Sequence, residues 1–249
     1  MLLKVRGLVV RTAKYSDYDR LVTVLTEDQG KLFFKACGIN SLKNRNAAAC
    51  SLFTFSEFVI KKNGENAYLS SSSPVYYPLK RGCDLTRLAL AGYMAQLGED
   101  VATDPENCSQ VLKLITNALF VISKNDRDPD LIKAVFELRL LTALGFAPLL
   151  EGCSSCRKEL ADMNGFFFDP VEGDLFCGDC APQGRRRISR DCVLLMKRCV
   201  QTDEKSAYAV NVEEGLLREF SSVCESFLTA QLERKYDTLD FYKEAKALK

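Results

Sequence analysis

Histidine is absent from this sequence of 249 residues. Its absence excludes imidazole acid–base catalysis, Ser-His and Cys-His nucleophiles, and every zinc site that needs a nitrogen ligand. The sequence also lacks a glycine-rich phosphate loop and a paired-carboxylate motif. Because none of these motifs supports an enzyme, we expect a binding protein.

Long apolar runs are missing as well. None approaches the roughly 18 residues that a membrane-spanning helix needs. Met1–Gly7 has charges inside its apolar stretch and no small-residue cleavage site, so it predicts a strand rather than a signal peptide. Apolar residues make up 47% and charged residues 27%, the balance of a soluble globular protein. We therefore expect a cytoplasmic protein with no membrane partner.

Cysteine, in contrast, is abundant, with 11 residues. Two Cys-x-x-Cys knuckles, at Cys153 and Cys156 and at Cys177 and Cys180, are separated by 20 residues that contain turn-forming pairs and predict a short hairpin. This spacing is typical of a zinc ribbon, in which each knuckle supplies two thiolates from a tight turn. Four thiolates leave no open coordination position, so we expect one structural Zn²⁺. Four unrelated buried cysteines are the alternative, and the paired spacing argues against it.

Charge is distributed unevenly along the chain. Residues 1–80 carry 12 Lys and Arg against six Asp and Glu, or +6, whereas residues 81–249 carry 22 against 27, or −5. A basic N-terminal segment predicts contact with a polyanion, although ordinary fluctuation in charge is the alternative.

The period of the apolar residues divides the chain in the same place. Residues 1–80 predict five antiparallel strands, at about 2–12, 20–26, 31–37, 53–62 and 67–77, with a bend at Gly7 and a hairpin turn at Asn63–Gly64. Five short strands predict a closed OB-fold barrel, and periodicity alone leaves an SH3-like barrel open.

Residues 81–249 change to helical periodicity and predict an all-α domain with the zinc ribbon embedded at 150–182. Helices are predicted from about 84 to 101, 107 to 123, 129 to 144, 189 to 199 and 212 to 235, with a last, fraying helix over 238–249. The predicted fold class is therefore a multidomain α+β protein, with domains at 1–80 and 81–249.

Several segments, in this order and spacing, resemble the RecO family of bacterial recombination mediators. The segments are Val9–Arg11, Tyr18–Thr26, Gly30–Lys31, Phe136–Leu141, Gly145–Pro148, Cys153–Cys156, Gly165–Pro170 and Leu175–Cys180. The resemblance covers nearly the whole chain.

The resemblance implies an N-terminal OB-fold and a C-terminal helical domain with an embedded zinc ribbon. It also implies a non-enzymatic role at the bacterial nucleoid. Such proteins bind single- and double-stranded DNA, anneal complementary strands and act with RecR. They help to load RecA onto DNA coated by single-strand binding protein, and they dock the acidic C-terminal tail of that protein. The alternative function is a zinc-ribbon interaction module in another process, such as transcription.

Candidate DNA-binding residues are the cations of the barrel and its loops: Lys14, Arg20, Lys31, Lys35, Lys43 and Arg45. Many family members are more densely basic after the third strand, where loop 38–46 has only Lys43 and Arg45. Alternation along the strand points either Phe33 or Phe34 into the barrel. An aromatic side chain on the surface could stack on a base, but we expect core packing for either residue.

Arg185, Arg186, Arg187 and Arg190 form the densest basic run, directly after the ribbon. We expect a solvated loop here, and the alternative is a second basic site that would take DNA or an acidic peptide.

Overall fold

A computed structural model describes residues 1–41, 43–79 and 82–248, without the side chains of Glu204 and Lys205. Two compact units divide the chain: the first unit is Met1–Asp126 with Tyr236–Lys249, and the second unit is Arg127–Lys235. The boundary predicted between residues 80 and 81 lies outside the described residues, as do Leu42 of the predicted loop and Lys249 of the last predicted helix. The division into domains at 1–80 and 81–249 stays a prediction.

The first unit begins with a closed barrel. Its strands are β1 (Leu2–Lys14), β2 (Arg20–Thr26), β3 (Lys31–Ala36), β4 (Phe55–Asn63) and β5 (Asn66–Tyr76). They follow one another around the barrel in the order β1-β2-β3-β5-β4, with β3 and β5 parallel and the other pairs antiparallel. This arrangement confirms the OB-fold, a five-stranded Greek-key barrel.

Barrel closure depends on β1, which pairs with β4 through Leu2–Leu8 and with β2 through Gly7–Lys14. At Gly7, where the two pairings overlap, a Cβ atom would lie 2.2 Å from the carbonyl oxygen of Leu25. The predicted bend at this glycine is wrong in position, because the register shift falls between Val9 and Arg11. Glycine is needed at position 7 for the close approach of β2 instead.

The remaining elements, in chain order, are α1 (Leu85–Val101), α2 (Pro105–Lys124), α3 (Pro129–Ala143), β6 (Phe166–Asp169), β7 (Asp174–Phe176), β8 (Arg186–Ile188), α4 (Arg190–Gln201), α5 (Glu204–Tyr208), α6 (Glu214–Leu232) and α7 (Asp237–Ala247). Aspartate and serine side chains cap α1 to α4 at their first turns, since each accepts a hydrogen bond from a backbone N–H there. No helix in the described ranges is long and apolar enough to cross a membrane.

The last helix belongs to the first unit, where α7 packs on α1. Tyr242 of α7 is 1% exposed. The hydroxyl of Thr86 donates to the carbonyl oxygen of Ala245 at 3.2 Å, and the Tyr236 hydroxyl donates to Asp100 Oδ2 at 2.8 Å. The expectation that this helix frays is therefore wrong for its described residues.

The second unit is built around α3, which is buried on most sides, and α6 packs against it. A charged cluster joins the two helices: Lys133 Nζ of α3 lies 3.1 Å from Glu137 Oε2 of α3 and 3.0 Å from Glu225 Oε2 of α6. Burial disfavours the ammonium form, but the two carboxylates outweigh it and raise the pKa of Lys133. The cluster fixes the register of α3 against α6, because removing one partner would leave a buried charge uncompensated.

The ribbon also lies in the second unit, and β6 and β7 form the predicted hairpin. In addition β8 pairs with β6, giving a sheet with the order β7-β6-β8. Arg186 and Arg187 of the basic run therefore stand on a strand, so the expected loop is wrong for that part of the run, although both residues are exposed.

Replacing Gly7 by Ala should lower the free energy of unfolding by about 1–3 kcal/mol, because the new methyl group overlaps a backbone oxygen that cannot move away. Gly92→Ala is the matched control: it lies within α1 with no atom within 4 Å of the added Cβ, and should raise that free energy by about 0.5–1 kcal/mol. Urea denaturation of the two variants measures both, and equal stabilities would contradict the role of Gly7.

Candidate metal centre and nucleic-acid interface

The sulfur atoms of Cys153, Cys156, Cys177 and Cys180 all lie within 4.8 Å of one another. Cys156 Sγ and Cys177 Sγ lie 3.7 Å apart. A tetrahedral ion with metal–sulfur bonds of about 2.3 Å would space its ligands by about 3.8 Å. The four cysteines predicted from the sequence are therefore assembled at a distance that could hold a metal ion.

Backbone hydrogen bonds shape both knuckles. In the first, the N–H of Arg157 donates to the carbonyl oxygen of Cys153 at 2.9 Å, and Arg157 adopts a φ of 60°. In the second, the N–H of Ala181 donates to the carbonyl oxygen of Cys177 at 2.9 Å. The N–H of Cys177 also donates to Cys153 Sγ at 3.3 Å, which aims an amide dipole at a ligand sulfur.

The two knuckles are tied together by a side-chain network. The N–H of Gly178 donates to Asn164 Oδ1 at 2.9 Å, and Asn164 Nδ2 donates to Asp179 Oδ1 at 2.7 Å. Lys158, beside the first knuckle, donates to Asp179 Oδ2 at 2.8 Å and lowers the pKa of that carboxyl group. Asn164 thus links the hairpin to the second knuckle, and Asp179 links the second knuckle to the first.

The thiols differ in acidity. Burial disfavours the thiolate of Cys153, but N–H groups of Cys156, Cys177 and Ser155 outweigh it and lower the pKa of Cys153 to about 6. The neighbouring sulfurs of Cys156 and Cys177 raise the pKa of Cys180 to about 12. The amides around Cys153 therefore favour the charged form that binds a metal ion.

In the barrel, the predicted DNA-binding cations separate into two places. Lys14 pairs with Arg20 in register, and Arg20 pairs with Ala36 at the end of β3, beside Lys35. Lys43 and Arg45 follow β3 in the loop whose Asn40 accepts a hydrogen bond from Arg20 Nε at 2.8 Å. Lys31 stands at the other end of β3, where its Nζ donates to the carbonyl oxygen of Glu99 at 2.5 Å.

Several of these cations already have a partner. Lys14 Nζ lies 2.8 Å from Asp17 Oδ1, and Lys35 Nζ lies 2.9 Å from Asp19 Oδ2 and 4.0 Å from the ring centroid of Tyr15. The carboxylate of Asp19 raises the pKa of Lys35. Lys43 and Arg45 are exposed and form no ion pair with any residue of the described ranges.

The outer face of the β2–β3 hairpin carries an aromatic side chain. Phe34 is 1% exposed and packs in the barrel core against Phe58, whereas Phe33 is 69% exposed. Core packing, expected for either residue, is therefore right for Phe34 and wrong for Phe33. Lys35 shares the outer face with Phe33 by alternation along β3, and it pairs with Tyr68 of β5.

Sequence reasoning missed three aromatic residues around this face: Tyr15, Tyr18 and Tyr68, all of them exposed. Tyr15 and Tyr18 belong to the β1–β2 connection. The signal was available, because the strand 2–3 face and the loop between strands 1 and 2 are where OB-folds bind oligonucleotides. We refer below to Tyr15, Tyr18, Phe33, Lys35 and Tyr68 as the barrel face.

The four arginines of the basic run after the ribbon differ in whether they have a partner. Arg185 Nη2 lies 2.6 Å from Oδ2 of the buried Asp169, and Arg186 Nη1 donates to Ser222 Oγ at 2.9 Å. Arg187 and Arg190 are exposed and have no ion-pair partner in the part of the chain that the structure describes.

The first unit is a closed OB-fold barrel with exposed aromatic and basic side chains on and around the β2–β3 hairpin, and the second unit holds a four-cysteine cluster. Oligonucleotides are among the ligands that OB-folds bind on this face. Two family models match: "Recombination protein O N terminal" over residues 1–77 and "Recombination protein O C terminal" over residues 83–240. The chain therefore belongs to the RecO family, whose members are non-enzymatic DNA-binding proteins of DNA repair and recombination.

Individual relatives agree. The DNA repair protein RecO of Acetivibrio thermocellus is 30% identical, over 99% of this chain and 98% of the relative. The DNA repair protein RecO of Symbiobacterium thermophilum is 30% identical over 96% of both chains. The protein of the same name from Caldicellulosiruptor bescii is 24% identical over 97% of this chain and 98% of its own.

Replacing Asn164 by Ala should lower the affinity for a bound metal ion about 10–100-fold, because the second knuckle loses the side chain that orders Gly178 and Asp179. Competition with a chromophoric chelator measures the affinity. Asn66→Ala, at an exposed barrel position, is the control and should match the wild type. An unchanged affinity for the Asn164 variant would show that the network does not support the metal site.

Proposed function

We propose that the protein is a recombination mediator that binds and anneals single-stranded DNA through the barrel face. The observation that carries this proposal is Phe33, a large aromatic ring held outward on the ligand face of an OB-fold. Bases of any sequence can stack on such a ring, which gives affinity without sequence preference. Tyr15 lies under the Lys35 ammonium group and Tyr68 pairs with Lys35, so both could extend the stacking surface on this face.

Phosphate contacts supply the electrostatic part of this binding. Lys43 and Arg45 are free to neutralise phosphates, while Lys14 and Lys35 must first exchange Asp17 and Asp19 for a phosphate. Arg20 supports the loop through Asn40 and can still offer its terminal guanidinium nitrogens. Lys31 contributes least, since it lies away from the others and is hydrogen-bonded to Glu99.

For the metal we propose one structural Zn²⁺ on Cys153, Cys156, Cys177 and Cys180. A set of four sulfur ligands suits Zn²⁺, and with no open position it offers no site for a reacting water. The ion would hold the two knuckles together and so pin the β6–β7 hairpin.

The family supports further proposals about partners. We propose that the protein also binds double-stranded DNA and acts with RecR to help load RecA onto DNA coated by single-strand binding protein, whose acidic C-terminal tail it docks. The site of action would be the nucleoid in the bacterial cytoplasm. Annealing of complementary strands without nucleotide is the deciding assay: a mediator anneals them, whereas a pure interaction module, as in transcription, does not.

Replacing Phe33 by Ala should raise the Kd for single-stranded DNA about 5–100-fold, since stacking of one base on an aromatic ring is worth about 1–3 kcal/mol. Annealing should slow in parallel. Fluorescence anisotropy and an annealing assay measure the two effects. Phe241→Ala, an exposed phenylalanine on α7, is the matched control. If both variants bound alike, Phe33 would not be a stacking residue.

Replacing Lys43 and Arg45 together by Gln should make the salt dependence shallower by about 1.4 in the slope of log K against log salt, because each lost phosphate contact on a single strand removes about 0.7. Lys113→Gln with Lys124→Gln, two exposed lysines of α2, is the control. A slope equal to that of the wild type would place the phosphate contacts elsewhere.

A further inference from the structure

An open groove of about 700 Å³ lies in the second unit, beside the ribbon hairpin. Its floor is apolar and consists of Met163, Phe166 and Ile188, which are nearly buried. Its rim carries Arg187 and Arg190, the two arginines of the basic run that have no ion-pair partner in the described ranges. A groove with an apolar floor and a few converging charges is the usual form of a binding site.

Two arginines of the basic run, Arg187 and Arg190, line the groove, and both are exposed. Arg185 is held by the buried Asp169, and Arg186 reaches Ser222 on α6. The run therefore presents two guanidinium groups rather than four.

Glu219 is the one acidic residue lining the groove among those described. Its carboxylate accepts hydrogen bonds from Ser189 N at 2.8 Å and from Ser189 Oγ at 2.5 Å. It thus occupies the N-terminal end of α4, which favours a negative charge there. An anion in the groove must rely on the arginines, and the charge of Glu219 works against it.

We propose that this groove is a second contact for nucleic acid, in which phosphates of a single strand bind Arg187 and Arg190 while a sugar or base edge lies on the apolar floor. Guanidinium groups match phosphate oxygens through paired hydrogen bonds. DNA is the ligand that family membership implies, and a protein that anneals DNA must engage two strands. The proposal rests on the proposed function, in which the barrel face holds the other strand.

The test counts oligonucleotides bound by the full-length protein. An oligothymidylate of about ten nucleotides fits a single site of this kind. The wild type should bind two equivalents of this oligonucleotide, and the double variant Arg187→Gln with Arg190→Gln should bind only one. In the double variant the slope of log K against log salt should become shallower by about 1.4. Arg198→Gln with Arg218→Gln, two exposed arginines that do not line the groove, is the control and should retain both equivalents.

Glu219→Gln provides a change in the opposite direction, which misfolding cannot imitate. Removing its charge should tighten oligonucleotide binding at low salt about threefold. A groove variant that keeps both equivalents and the wild-type slope would overturn the proposal, as would a groove variant that loses only the binding of an Asp- and Phe-containing test peptide.

The barrel variant Phe33→Ala with Lys43→Gln and Arg45→Gln separates this inference from the proposed function. It should lose one equivalent and leave the other sensitive to Arg187 and Arg190. If the barrel variant bound like the wild type while the groove variant did not, the barrel interface would fail and the groove would stand. Loss of all binding in the barrel variant alone would overturn the groove.

Discussion

Strict alternation of side chains along β3 is the constraint on which the proposed nucleic-acid interface depends. Because successive side chains of a strand point to opposite faces, burial of Phe34 in the barrel core obliges Phe33 to face solvent. Burial of Phe34 is worth on the order of 2 kcal/mol, so the register cannot slip without exposing the core residues of β3. The packing that closes the barrel therefore also holds the stacking ring in place.

The ribbon is held in a different way, because its two knuckles are short polar turns. Four thiolates within 4.8 Å of one another would repel, and a bound cation would remove that repulsion. Asn164 and Asp179 hold the knuckles in position by hydrogen bonds that do not involve the cysteine sulfurs. Asn164 also lines the groove that carries Arg187, so the cysteine cluster and the shape of the groove depend on one side chain.

Local signals predicted much of this architecture. Apolar periodicity located the barrel strands and the main helices, the spacing of Cys153 to Cys180 predicted the four-cysteine cluster, and Asp128 before Pro129 predicted the start of α3. Features that depend on distant partners were missed. Pairing of β8 with β6 and packing of α7 on α1 join segments far apart in sequence, and periodicity carries no information about such contacts. The inward choice between Phe33 and Phe34 likewise depended on the barrel register.

Sequence composition likewise does not show which Lys and Arg side chains are already paired with an acidic residue, and this pairing affects which of them are available to DNA. A count of Lys and Arg treats Lys35 and Lys43 alike, yet Asp19 and Tyr15 already engage the first. Likewise Arg185 stabilises the buried Asp169, whereas Arg187 two residues later is open. Since salt dependence reports the phosphates actually neutralised, it should follow the free cations rather than the basic composition. In the proposed interface the affinity for DNA would then depend on few charges, and aromatic stacking at the barrel face would supply a correspondingly larger share.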